Sequence, residues 1–103
     1  MVGTATATKS TIISDIKAHV AKCGGNYSDW YVGIAANPEQ RLFNDHGVNK
    51  NSDAWIWIRA ASSDDARAAE KSLLALGMTG GRGGGDDDSD CVYAYRITST
   101  TKE

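Results

Sequence analysis

Residues 54–60, AWIWIRA, constrain this chain more than any other stretch. Such a run is far too short to cross a bilayer as a helix, which takes about 20 residues. β-Branched and aromatic side chains dominate it, so it reads as a strand. Both alternating positions are apolar, which predicts burial on two faces and a central place in a sheet. A chain with such a strand must supply neighbours for its edges and layers for its faces.

Residues 29–35, DWYVGIA, and 91–97, CVYAYRI, have the same character and read as further strands. The layers come from helical segments. In residues 11–23, Ile12 or Ile13, Ile16 and Val20 recur at helical spacing, and Gly24-Gly25 supplies the stop. Asn37-Pro38-Glu39-Gln40 combines an N-cap, a proline in the first turn and a glutamine placed for a capping box, so a short helix starts there and ends near Gly47. Ser62 and Ser63 cap a third helix, with Asp64 and Asp65 in its first turn, where carboxylates favour the dipole. Gly77 lies near its end. The expected fold is α+β: one domain over residues 11–98, with a small, mainly antiparallel three-stranded sheet flanked by helices. Residues 1–10 read as a flexible arm and 99–103 as a tail. RGGGDDDSD, residues 82–90, lacks the spacing of a calcium loop and reads as a solvated linker.

A chain of 103 residues suits one domain. Its net charge of -2 argues against tight non-specific nucleic-acid binding, which relies on a basic surface, but leaves room for a local basic site. No apolar run approaches a membrane span, and MVGTATATKST lacks the layout of a secretory signal. The expectation is a cytoplasmic protein without a membrane partner. Cys23 and Cys91 form no paired metal motif. They are expected to be free thiols in a reducing compartment, the alternative being a disulfide if their segments meet. Trp30, Trp55 and Trp57 could stack on bases, but in apolar strands they read as core.

The third helix poses the sharpest question. In ARAAEKSLLAL, residues 66–76, Ala66, Ala69, Leu73, Leu74 and Leu76 share one face, and Glu70 falls among them. A buried carboxylate costs several kcal/mol unless paired or coordinated. Glu70 therefore reaches the helix edge, pairs with a buried arginine, or faces a cleft and holds a divalent cation. Other chemistry gathers between residues 31 and 46. Gly33 permits close approach of a ligand or backbone. Arg41 suits phosphate or carboxylate, and His46 suits proton transfer near neutral pH. Each has a plainer reading: Arg41 pairs with Asp45 one turn on, and His46 ends a helix where the dipole favours it.

Taken in order, these pieces resemble the GIY-YIG endonuclease family. YVG at Tyr31 to Gly33 matches the second half of that name motif. Arg41 and His46 match the arginine and histidine of the family's first helix. AWIWIRA matches the strand that follows, and ARAAEKSLL the helix carrying the family's glutamate. The resemblance spans roughly residues 30–76. It implies Mg²⁺-assisted cleavage of a DNA or RNA phosphodiester. Glu70 would be the metal ligand, Arg41 the charge stabiliser, and Tyr31 and His46 the residues on the water side. A separate partner protein is also implied, because such nucleases usually carry a further DNA-binding domain.

The GIY strand that should directly precede YVG is missing, and AKCGGNYSD stands in its place. Tyr27 is nearby but in a loop. The asparagine expected after the glutamate helix is not evident. VYAYRI near the C-terminus reads like the absent strand moved to the chain's end. It is expected to pair beside the Tyr31 strand, with Tyr93 or Tyr95, which share a face, supplying the missing hydroxyl. A non-catalytic nucleic-acid- or protein-binding module on the same fold is the alternative. A third reading is a structural protein in which Glu70 pairs with Arg41.

Overall fold

The computed structural model describes residues 7–80 and 89–101, with helices and strands along them. They are α1 (Lys9–Cys23), β1 (Trp30–Ala35), β2 (Trp55–Arg59), α2 (Ser63–Ala75), β3 (Thr79–Gly80) and β4 (Cys91–Arg96). A 3-10 turn, Tyr27–Asp29, leads into β1, and a π-helical segment, Gln40–Asp45, follows it. The sheet order is β2-β4-β1-β3. β4 runs antiparallel to both its neighbours, and β3 runs parallel to β1. The class is α+β, as expected, with a four-stranded sheet in place of three strands.

The last strand does pair beside the Tyr31 strand, in register from Trp30↔Arg96 to Ala35↔Cys91. That pairing corrects the place expected for AWIWIRA. β2 lies at an edge of the sheet, and β4 takes the inner position between β2 and β1. The apolar run misled because tryptophan is amphipathic. Ile56 and Ile58 are buried, whereas Trp55 and Trp57 are only half-buried, and the Trp55 indole donates to the Lys50 carbonyl at 3.0 Å. Burial on both faces belongs instead to β1, where all six residues are buried. β3 falls in a stretch that reads as loop. Met78, buried just before it, ties that stretch to the core. Most of the expected 82–90 linker lies outside the described residues.

Both helices cover one face of the sheet. Ile12, Ile16 and Val20 of α1 and Ala66, Ala69 and Leu73 of α2 meet Trp30, Val32, Ile34, Ile56, Ile58, Val92 and Ala94. The two alanines of α2 leave the helix axis close to its neighbours. Ser62 caps α2 as expected, accepting from the Asp65 N–H at 3.1 Å. Leu76, expected on the buried stripe, sits just past the helix end and is 41% exposed. α1 begins at Lys9, two residues earlier than expected. Just before it, Ala7 bridges to the chain beyond β2, with its N–H on the Arg59 carbonyl at 2.9 Å and its carbonyl accepting from Ala61 at 2.8 Å.

The second face carries Tyr31, Ala35, Tyr93 and Tyr95, covered by Leu42 and Val48, with Phe43, Trp55, Trp57 and Ile97 at the rim. The tryptophans are packing residues, as expected. Trp57 adds a cost, because its indole N–H is buried without an acceptor among the described residues. An unsatisfied buried donor opposes folding by about 1–3 kcal/mol. Trp57→Phe therefore keeps the apolar contact, removes the donor, and leaves the urea midpoint unchanged or higher. A large loss of stability in that variant would mean that the N–H has a partner.

Candidate functional site

The site grows from Gly33. Its cross-strand neighbour is Tyr93. A Cβ added at Gly33 would stand 2.5 Å from the Tyr93 hydroxyl oxygen and 2.6 Å from Cζ. Only a glycine lets this phenol lie across β1, so the close approach expected at Gly33 is made by a side chain of the protein itself. Two pairs along, on the same face, Tyr31 faces Tyr95, and their rings stack with centroids 5.2 Å apart.

His46 closes the cluster from above. The segment leading to it opens as expected, with the Asn37 side chain accepting from the Gln40 N–H at 3.2 Å. It then widens, so that the His46 N–H reaches the Arg41 carbonyl five residues back, at 2.9 Å. The expected α-helix is thus a π-helical turn, a form often found at functional sites. It sinks Leu42 onto the sheet and carries His46 inward to 7% exposure. His46 Nε2 lies 2.9 Å from the Tyr93 hydroxyl, and Nδ1 lies 3.1 Å from the Tyr95 hydroxyl. The Tyr31 ring is 4.7 Å from the imidazole, centroid to centroid. A neutral imidazole has one N–H and one lone pair, so in that form one tyrosine would donate to the ring and the other accept from it. His46 ends its helical turn as the plainer reading had it, but it is a buried, doubly bonded ring rather than a surface cap.

Arg41 and Glu70 are held by other elements, the π-helical segment and α2. Arg41 pairs with Asp45 at 3.4 Å, as the plainer reading expected, and both side chains are about half exposed. Such a pair is worth little and opens readily for another anion. Arg41 and Asp45 help to line a depression of about 310 Å³ beyond the end of β1, with Ala35, Asn37, Gln40 and Ser89. Because Arg41 is engaged by Asp45, the structural reading in which it pairs with Glu70 is not what the fold does.

Glu70 sits on α2, on the helix-covered side of the sheet, and is half-buried. Burial pushes its carboxyl above the usual range, and the charge of Arg67 only partly offsets this. It makes no hydrogen bond or ion pair among the described residues. β3 pairs only with Tyr31 and Val32, so past Val32 that edge of β1 has no strand beside it among the described residues. The Tyr93 hydroxyl registers the surrounding charges. Burial raises its pKa most, then Tyr31. Glu70 and Asp45 push the same way, and Arg41 opposes them. Glu70 and Arg41 belong to opposite layers of the fold.

Tyr31, His46 and Tyr93 are in one cluster. Tyr95, fully buried, joins them on equal terms, and its spacing from Tyr93 was the signal for it. Tyr27 lies apart, packed against the helix-side core. No group of three or more His, Cys, Asp or Glu residues that could hold a metal occurs among the described residues. A lone, under-compensated carboxylate suits Mg²⁺, which keeps several waters and is bound through one or two carboxylates plus substrate phosphates. Cys23 and Cys91 are free thiols, and no helix among the described residues is long and apolar enough to cross a membrane. Compared with known proteins, the chain matches no family model, no curated protein and no solved structure.

Proposed function

We propose that this domain is a GIY-YIG-like nuclease that cleaves a nucleic-acid phosphodiester with Mg²⁺. The observation that carries the reading is His46 bonded between the Tyr93 and Tyr95 hydroxyls against the Tyr31 ring, on strands paired as a relocated GIY strand requires. Bound through Glu70, Mg²⁺ would supply Lewis-acid polarisation of the phosphate and charge relief for the leaving oxygen. The chain's own residues do the rest. Arg41 releases Asp45 and takes a phosphate oxygen, balancing charge as it develops. Tyr93, held protonated by its burial, orients the attacking water as a neutral hydroxyl. In the tautomer in which Tyr93 donates to His46 Nε2, that hydrogen bond gives the water's proton a path to the imidazole. Tyr31 fixes the ring plane from its other side. The two free thiols support a reducing, cytoplasmic setting, and a partner protein would add the DNA contacts that a net charge of -2 makes weak.

The binding-module reading is favoured by one observation, the Arg41–Asp45 pair that must open before Arg41 can act. Supercoiled plasmid separates the two. Nicking in Mg²⁺ that stops with EDTA supports the nuclease. A salt-sensitive gel shift without nicking supports the module and overturns the nuclease.

A further inference from the structure

The edge strand β2 turns Trp55, Trp57 and Arg59 to the tyrosine face at alternate positions. Both tryptophans pack against the tyrosine cluster and keep part of the ring exposed. Phe43, also half-buried, stands edge-on to Trp55 with centroids 5.1 Å apart. Lys50, exposed, holds its Nζ 5.7 Å from the centre of the Phe43 ring. The result is an aromatic strip with a cation at each end, Lys50 beside Phe43 and Arg59 beyond Trp57.

Both cations are available to an anion. The Arg59 side chain is 51% exposed, and its nearest carboxylate, Asp90, is 3.9 Å away, a weak pair that opens readily. Asp53, the acid closest to β2 in the preceding turn, is already engaged, accepting from the Asn49 N–H at 2.8 Å. Trp57 keeps its indole although the buried N–H finds no acceptor among the described residues, where phenylalanine would pack without that cost. A larger ring face for stacking accounts for the choice.

We propose that this strip binds single-stranded nucleic acid, with bases stacked on Trp55 and Trp57 and backbone phosphates held by Lys50 and Arg59. Aromatic side chains on a sheet face stack two or three splayed bases in this way, without regard to sequence. A duplex hides its base faces within its own stack, so the strip selects unpaired strands. With a net charge of -2 on the chain, stacking supplies the affinity that charge does not. The strip also adjoins the candidate site: Trp57 is the cross-strand neighbour of Tyr93, and Trp55 of Tyr95. A base on Trp57 therefore brings its phosphate toward the Tyr93–His46 pair. The proposal names the form of substrate for the nuclease reading and rests on that reading for the cut alone.

Fluorescence anisotropy with a labelled oligothymidylate of about 12 nucleotides, in EDTA and low salt, tests the strip. The single strand should bind at least about tenfold tighter than its duplex with oligodeoxyadenylate. Tryptophan emission of the unsubstituted protein should fall as the strand saturates it. Trp55→Leu and Trp57→Leu should each weaken binding at least about fivefold, with circular dichroism to check the fold. Lys50→Gln and Arg59→Gln, at exposed positions, should each lower the slope of log affinity against log salt by about 0.7. Because EDTA stops any cutting, an inactive nuclease leaves these results standing. Duplex bound as tightly as the single strand, emission that does not change at saturation, or affinity unchanged in both folded tryptophan variants overturns the proposal, even where Mg²⁺-dependent nicking is seen.

Discussion

Glu70→Gln cuts Mg²⁺-dependent nicking by at least about a hundredfold and at the same time makes the protein more stable. The two effects have one cause. Glu70 is half-buried, makes no hydrogen bond or ion pair among the described residues, and has its carboxyl pushed up by burial. Its ionised form therefore opposes folding, and glutamine removes that opposition, which solvent screening at a half-exposed position keeps small. A carboxylate kept at such a position needs a reason outside stability, and holding a cation is one. The pH dependence has a definite sign. With the folded pKa raised, the penalty is full above the folded pKa and shrinks as pH falls toward the ordinary value of 4.5, below which both states are protonated. The gap between Glu70→Gln and the unsubstituted protein in urea denaturation should close through that window. A gap that widens on acidification would mean that the carboxylate is stabilised by a partner.

Gly33→Ala should destabilise the fold by about 2 kcal/mol and disturb the cluster. The added methyl would meet the Tyr93 hydroxyl oxygen at 2.5 Å and Cζ at 2.6 Å. Strand pairing on both sides of the phenol limits how far it can retreat, so overpacking should drive Tyr93 from His46. For a domain of this size the melting temperature should drop by roughly 10 °C. Tyr93→Ala in the same chain should remove most of that cost, giving a coupling of about 1 kcal/mol or more in a double-mutant cycle. Additive losses would show that Gly33 acts through backbone freedom alone.

Periodicity was enough to place both α-helices and the three long strands. Two features of the layout differ from the pattern in the sequence for physical reasons. The alternation in AWIWIRA counts tryptophans as fully apolar, yet Trp55 and Trp57 keep partial exposure at a sheet edge. The neighbour that displaced β2 from the centre, β4, is distant in sequence, and period alone does not register strand order. β3 escaped because two residues give no period, although Met78 just before it is buried.

The site divides in the same way. Tyr31, Arg41, His46 and Tyr93 stood out by type and order. The widened turn that buries His46 did not, since Asn37-Pro38 signals a helix start but not its winding. Tyr95 was visible as the alternate-position twin of Tyr93. Its bond to Nδ1 became evident only once β4 was paired with β1.

Manganese broadening in the proton NMR spectrum tests the central claim most directly, because it asks whether a divalent ion held through Glu70 sits beside the tyrosine–histidine cluster. Substoichiometric Mn²⁺, competed by Mg²⁺, should broaden the His46 and Tyr93 ring resonances in the unsubstituted protein and leave them sharp in Glu70→Gln. Rings that stay sharp in both proteins, or broaden equally in both, would contradict it.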